Sequence, residues 1–73
     1  NIQDYKQSML DLTRLYKINT GKCTLIIFPI AYQRINDMIY FTYYRVDSRN
    51  MIPEFVEDEL SILRFEIWIK LFI

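Results

Sequence analysis

Four places in this sequence gather side chains of the kinds that do chemistry. Thr20-Gly21-Lys22-Cys23 holds the glycine and lysine of a phosphate-binding loop, where backbone amides and a lysine cradle phosphates. That pattern also needs a glycine where Tyr16 stands and a hydroxyl where Cys23 stands. The predicted order here, helix before strand, is also the reverse of a phosphate loop. The tetrapeptide therefore reads as a helix end, with Gly21 free to take positive φ.

Glu54, Glu57, Asp58 and Glu59 are of the type that holds a hard cation or exchanges protons. They lack the ligand spacing and the glycine turn of a calcium loop, and read as the solvated face of a helix. Ser8, Ser48, Ser61 and Cys23 are formal nucleophiles, but the chain contains no histidine to activate them. Cys23 is the single cysteine and lies in an apolar run, where a thiol is usually packing. Alone it makes neither an internal disulfide nor a closed zinc site. The expectation is a protein that is not an enzyme and carries no cofactor.

The fourth place is aromatic. Tyr40, Tyr43 and Tyr44 lie near Arg34, Arg45 and Arg49, a combination able to stack unpaired bases and meet phosphates. Against this stand a net charge of zero, the intermingled Asp37 and Asp47, and the lack of an aromatic-and-glycine RNA-binding consensus. Tyrosine and arginine are also enriched at protein interfaces. Tyr40, Tyr43, Tyr44 and Arg45, with Trp68 and Phe72 farther on, are accordingly the candidate partner-binding residues. Protein partners or a homo-oligomer come first; single-stranded nucleic acid is the alternative.

Composition sets limits on the elements that must position these groups. The chain has 73 residues, 52% hydrophobic, 16% aromatic and 25% charged, too apolar for intrinsic disorder. A chain this short buries only about 60–65% of its unfolded surface, so it is marginal alone. Residues 1–50 carry seven basic and four acidic side chains, a balance of +3, and residues 51–73 carry two and five, a balance of −3. The halves are set to attract each other or a neighbouring copy. No stretch approaches the ~18–20 apolar residues of a membrane span, so no transmembrane segment is expected. The polar, amphipathic stretch from Asn1 to Asp11 does not resemble a secretory signal. The expected location is cytoplasmic or inside a larger assembly, and the opening on Asn1 without methionine points to a processed product or fragment.

Along the chain, Ile2, Tyr5, Met9, Leu12 and Tyr16 recur every three or four residues behind a possible Asn1 cap, predicting an amphipathic helix over 2–17. Residues 23–29 and 38–46 read as strands, the first apolar and the second aromatic on both faces; Pro29 marks the end of the first or an exposed edge, and Tyr32 to Asp37 reads as a polar connection in which Asn36-Asp37 favours a turn. Pro53 at a first helical position, followed by acidic residues, predicts a short helix over 53–60. In the final stretch Leu63, Phe65, Ile67, Ile69, Leu71 and Ile73 alternate with Arg64, Glu66, Trp68 and Lys70, which predicts a strand over 62–72. The expected fold is one small α+β domain: an N-terminal amphipathic helix packed on a mainly antiparallel sheet of about three strands. On this reading Ile67 is core, so Ile67→Ala costs about 2–5 kcal/mol, while Trp68 faces a partner and matters more for association than folding. Apolar surface in excess of what the chain can bury predicts a structural or interaction subunit that docks its sheet edge and aromatic face on other chains, in an oligomer, a capsid-like shell or a multisubunit complex.

Overall fold

The computed structural model describes residues 10–72. Four antiparallel strands form one sheet in chain order: β1 (Tyr16–Asn19), β2 (Thr24–Ile35), β3 (Met38–Asp47) and β4 (Pro53–Ser61). A single described helix, α1 (Ile62–Ile69), follows β4 directly and packs on one face of the sheet. The protein is α+β with an antiparallel sheet, but the expected architecture is not found: the sheet has four strands, not about three, and its one described helix follows the sheet and does not precede it.

Of the predicted helix 2–17, residues 2–9 lie outside the described residues, and residues 10–17 are not helical. Local hydrogen bonding competes with a helix here. The Asp11 carboxylate accepts from both the amide (2.9 Å) and the hydroxyl (2.6 Å) of Thr13, a tight turn that an α-helix would have to break. Beyond it Tyr16 and Ile18 are buried while Lys17 and Asn19 are exposed, a two-residue period that β1 satisfies by pairing Tyr16 with Ile27 and Ile18 with Leu25. Gly21 does not take positive φ. The β1–β2 turn is held by Thr20, whose hydroxyl accepts from the amides of Lys22 and Cys23 and donates to the Cys23 carbonyl.

The predicted strand 23–29 extends through residues 32–35, so Pro29 does not end it. Pro29 pairs with Tyr43 and Ala31 with Thr42, leaving Ile30 as an extra residue in a bulge. The bulge shifts the side-chain parity, so Leu25, Ile27 and Tyr32 share the helix side although 27 and 32 differ by an odd number. The Asn36-Asp37 turn is present, with Asn36 at φ 55°, a left-handed conformation that asparagine tolerates. β3, predicted over 38–46, is observed over 38–47.

The last two elements are exchanged relative to the sequence expectation: residues 53–60 are strand and residues 62–69 are helix. Proline is as compatible with the first residue of an edge strand as with a helix start. Pairing with β3 gives the acidic residues of β4 partners that a solvated helix would not: the Arg45 guanidinium donates to the Glu54 carboxylate at 2.7 Å, and the Tyr43 hydroxyl to Asp58 at 2.6 Å. Helix α1 then starts on Ser61, whose hydroxyl accepts from the Arg64 amide at 3.2 Å.

The core lies between sheet and helix. Phe41 and Ile27 are fully buried, with Leu10, Tyr16, Ile18, Ile39, Tyr43 and Phe65 around them. From the helix, Ile62, Phe65, Trp68, Ile69 and Phe72 reach this core, recurring at three- and four-residue intervals. Eight helical residues extend about 12 Å, against some 33 Å for the ten residues of β3. α1 consequently covers only part of its face, and the exposed Arg45–Glu54 pair lies on the same side of the sheet.

Candidate functional site

The antiparallel register sorts the sheet's side chains into two sets. Tyr16, Ile18, Ile27, Ile39, Phe41 and Tyr43 serve the core under α1. The alternate residues form the outer face, on which no described element packs. There, cross-strand partners make rows running from β2 through β3 to β4: Ile26–Val46–Pro53, then Phe28–Tyr44–Phe55, then Ala31–Thr42–Glu57, then Gln33–Tyr40–Glu59.

The second row is wholly aromatic. Phe28, Tyr44 and Phe55 are 39%, 45% and 55% exposed, and the rings of Tyr44 and Phe55 meet edge to face with centroids 5.6 Å apart. The row beside it, Ile26–Val46–Pro53, is apolar and continues on β1 at the exposed Lys17, the one charged group in this half of the face among the described residues. The acidic residues Glu57 and Glu59 occupy the other half. Met51 and Ile52, in the loop leading to the patch, are also exposed. Met51 holds φ 58°, its amide donating to the Asp47 carbonyl at 2.8 Å, so the loop spends backbone strain to leave a large apolar side chain in solvent.

The six residues singled out from the sequence do not form one surface. Tyr40 and Tyr44 lie on the outer face. Tyr43 is 2% exposed in the core, and Arg45 is on the helix side, engaged with Glu54. Trp68 points into the core, its ring centroid 5.7 Å from Phe41 and 5.3 Å from Tyr43, and Phe72 stacks on Tyr16 at 4.8 Å. Tyr43 is thus withdrawn from any base-stacking platform. Phe28 and Phe55 take the places beside Tyr44 that sequence reasoning did not assign. A signal that could have found Phe55 is the alternation of Val56 and Leu60 with Phe55, Glu57 and Glu59, which the helix reading of residues 53–60 did not use.

Two hollows lie on the helix side. One, of about 500 Å³, runs beside α1 between Leu25, Leu60, Trp68 and Leu71, with Tyr43 and Asp58 at its floor. The other, of about 400 Å³, is lined by Thr20, Lys22, Cys23, Arg45, Asp47 and Arg49, and its guanidiniums are already paired with Glu54 and Asp47. Hydrogen bonds from the Arg49 side chain and amide hold the Asp47 carboxyl down to about 2. Along the exposed side of α1, Leu63, Ile67 and Leu71 form a narrow apolar ridge, 66%, 53% and 54% exposed.

The Tyr43–Asp58 bond makes a measurable prediction. Burial, reinforced by the bond to the Asp58 carboxylate, raises the Tyr43 hydroxyl well above its ordinary value of 10. The unfolded chain releases that proton near pH 10 and the folded chain keeps it. The resulting stability is complete below pH 10 and is lost as the pH rises above it. Tyr43→Phe is expected to flatten this alkaline decline, and to cost about 1 kcal/mol at neutral pH by removing the donor to Asp58. Urea titrations on both sides of pH 10 measure it; an unchanged alkaline slope would contradict the assignment.

No helix among the described residues is long and apolar enough to cross a membrane. Comparison with protein-family models, with curated proteins and with solved structures returns no match in any of the three.

Proposed function

We propose that the chain is a non-enzymatic interaction subunit that docks the outer face of its sheet on another protein chain within an oligomer or larger assembly. The row Phe28–Tyr44–Phe55 carries this reading. Three large aromatic side chains stand in line on a face that no described element covers, with no charge among them. Left about half exposed, such a row exacts a solubility cost on a small domain and adds nothing to the core under α1. Aromatic residues at the centre of an interface, with polar residues at its rim, are the usual energetic anchors of association.

Face docking is favoured over docking by the β4 edge. The free edge of β4 presents Glu54, Glu57, Asp58 and Glu59 along its length, the kind of charge that keeps edge strands from pairing. The test is sedimentation velocity on the native chain and two double variants. Phe28→Lys with Phe55→Lys is expected to abolish association while leaving the circular dichroism spectrum and unfolding midpoint nearly unchanged. Leu63→Lys with Ile67→Lys, on the helix ridge, is expected to leave association intact. A native chain that sediments only as a monomer, or an assembly indifferent to the outer-face variant, rules the reading out.

A further inference from the structure

We propose that the loop between β3 and β4 is a membrane-docking tip: Met51 and Ile52 enter the interfacial zone of a lipid bilayer, and Lys22 beside them meets anionic headgroups. The tip lies at the end of the sheet where β3 runs out, and its role is independent of the reading of the outer face.

Met51 and Ile52 are 62% and 63% exposed, adjacent in a loop whose amide donors are already engaged. The Ser48 amide donates to the Thr24 carbonyl at 2.9 Å, and those of Asn50 and Met51 donate to the Asp47 carbonyl at 3.1 and 2.8 Å. The Arg49 amide donates to the Asp47 carboxylate at 2.9 Å and the Ile52 amide to the Asn50 side chain at 3.1 Å. Pro53 follows with no N–H to satisfy. Five successive amides, from 48 to 52, therefore need no water, which removes a large part of the cost of carrying this backbone out of bulk solvent. Shallow, interfacial docking leaves the loop carbonyls at headgroup depth, where water remains.

The charge beside the tip suits a surface with anionic headgroups. The β1–β2 turn lies against the loop, the Thr24 amide donating to the Ser48 hydroxyl at 2.9 Å, and Lys22 lines one hollow with Arg49 and Asn50. Residues 19–24 and 45–54 hold three basic side chains (Lys22, Arg45, Arg49) and two acidic ones (Asp47, Glu54), 3 − 2 = +1. Both carboxylates are held by arginines, Glu54 at 2.7 Å and Asp47 at 2.6 Å, and Lys22 has no carboxylate partner among the described residues. The positive charge left over is thus the lysine's, and near an anionic leaflet such a charge adds to apolar insertion.

A protein partner suits the tip less well. By itself the tip offers on the order of 250 Å², against about 800 Å² per partner in a specific protein interface. Its engaged amides also give a partner chain little to pair with. A bilayer takes up isolated apolar side chains without needing a complementary shape.

The test is flotation of the full chain with phosphatidylcholine vesicles, with and without phosphatidylserine, and circular dichroism on each variant. The native chain is expected to partition onto both, roughly fivefold more tightly where phosphatidylserine is present. Met51→Asn with Ile52→Ser, in which asparagine keeps the left-handed backbone of residue 51, is expected to weaken partitioning onto both by about 30-fold or more. Lys22→Gln is expected to remove the preference for phosphatidylserine and leave binding to phosphatidylcholine unchanged. Leu63→Ser with Ile67→Ser, on the comparably exposed helix ridge, is expected to change neither. A native chain that does not float, or a loop variant that floats as the native chain does, overturns the proposal. So does a ridge variant that loses as much as the loop variant, because that is indiscriminate apolar adhesion. A phosphatidylserine preference that survives Lys22→Gln overturns the role given to that lysine. If the native chain ignores vesicles and the loop variant instead abolishes self-association in sedimentation velocity, the tip serves a protein contact and the lipid reading is overturned.

Discussion

Phe41→Ala is expected to destabilise the chain by about 3–5 kcal/mol, the largest loss available from a single truncation here. Phe41 is 0% exposed at the middle of β3, an inner strand hydrogen-bonded on both sides. Its ring is edge-to-face with Phe65 and Trp68 at 5.7 Å and tilted against Tyr43 at 4.7 Å. Removing it empties the contact through which the sheet holds the helix. The strands on either side are paired through β3 and cannot move in to fill the space. At 0.05–0.15 kcal/mol per residue, a domain of this size has about 4–11 kcal/mol of stability in total, so the variant should lose at least about a quarter of it and unfold at a clearly lower urea concentration. Urea denaturation followed by circular dichroism measures this. A loss below about 1 kcal/mol would mean that the core is not centred on Phe41.

Trp68→Ala is expected to cost about 3 kcal/mol and Ile67→Ala less than about 1 kcal/mol, the reverse of the order that strand alternation predicts. Trp68 touches Phe41, Tyr43 and Phe72, and through Phe72 it connects α1 to Tyr16 of β1. Loss of its ring leaves Phe72 and the C-terminal turn without their main support. Ile67 is 53% exposed on the apolar ridge of α1, so its truncation removes surface that is mostly already in water. Measuring both variants in the same urea series compares the two orientations directly. If Ile67→Ala proves the costlier, the helix is not seated on the sheet by Phe65, Trp68 and Phe72.

The same stretch shows how far the sequence was legible. Leu63, Phe65, Ile67, Ile69 and Leu71 satisfy a two-residue period, while Ile62, Phe65, Trp68, Ile69 and Phe72 satisfy a helical one. Both fit because the segment is apolar at nearly every position, and periodicity cannot separate two patterns when so few polar residues mark the boundary. The cap at Ser61 was the local sign of a helix. Residues 53–60 failed in the opposite way. Their charge and the leading proline favour a helix locally, but the free aromatic edge of β3 needs a partner strand, and its Tyr43 and Arg45 supply donors for Asp58 and Glu54.

The candidate surface was half legible. Tyr40 and Tyr44 were identified from composition, and the structure retains both on the outer face. Alternation along β3 already separates Tyr43 and Arg45 from Tyr40 and Tyr44, but which of the two faces is buried was decided by the helix. Phe28 and Phe55 joined the surface only through register, which brings residues 28, 44 and 55 into one row.

The sequence by itself determined the two central strands and the Asn36-Asp37 turn, because these depend on residue type and on contacts close in sequence. The tertiary structure decided which of the last two segments is strand and which is helix, how Ile30 is accommodated, and which aromatics share a face. Those outcomes depend on pairing across the sheet: β3 recruits β4 as its partner, and α1 is left to cover the core. The physical reason is that a strand's hydrogen bonds and a helix's buried stripe are completed by residues far away in the chain, and local propensity is too weak to resist them.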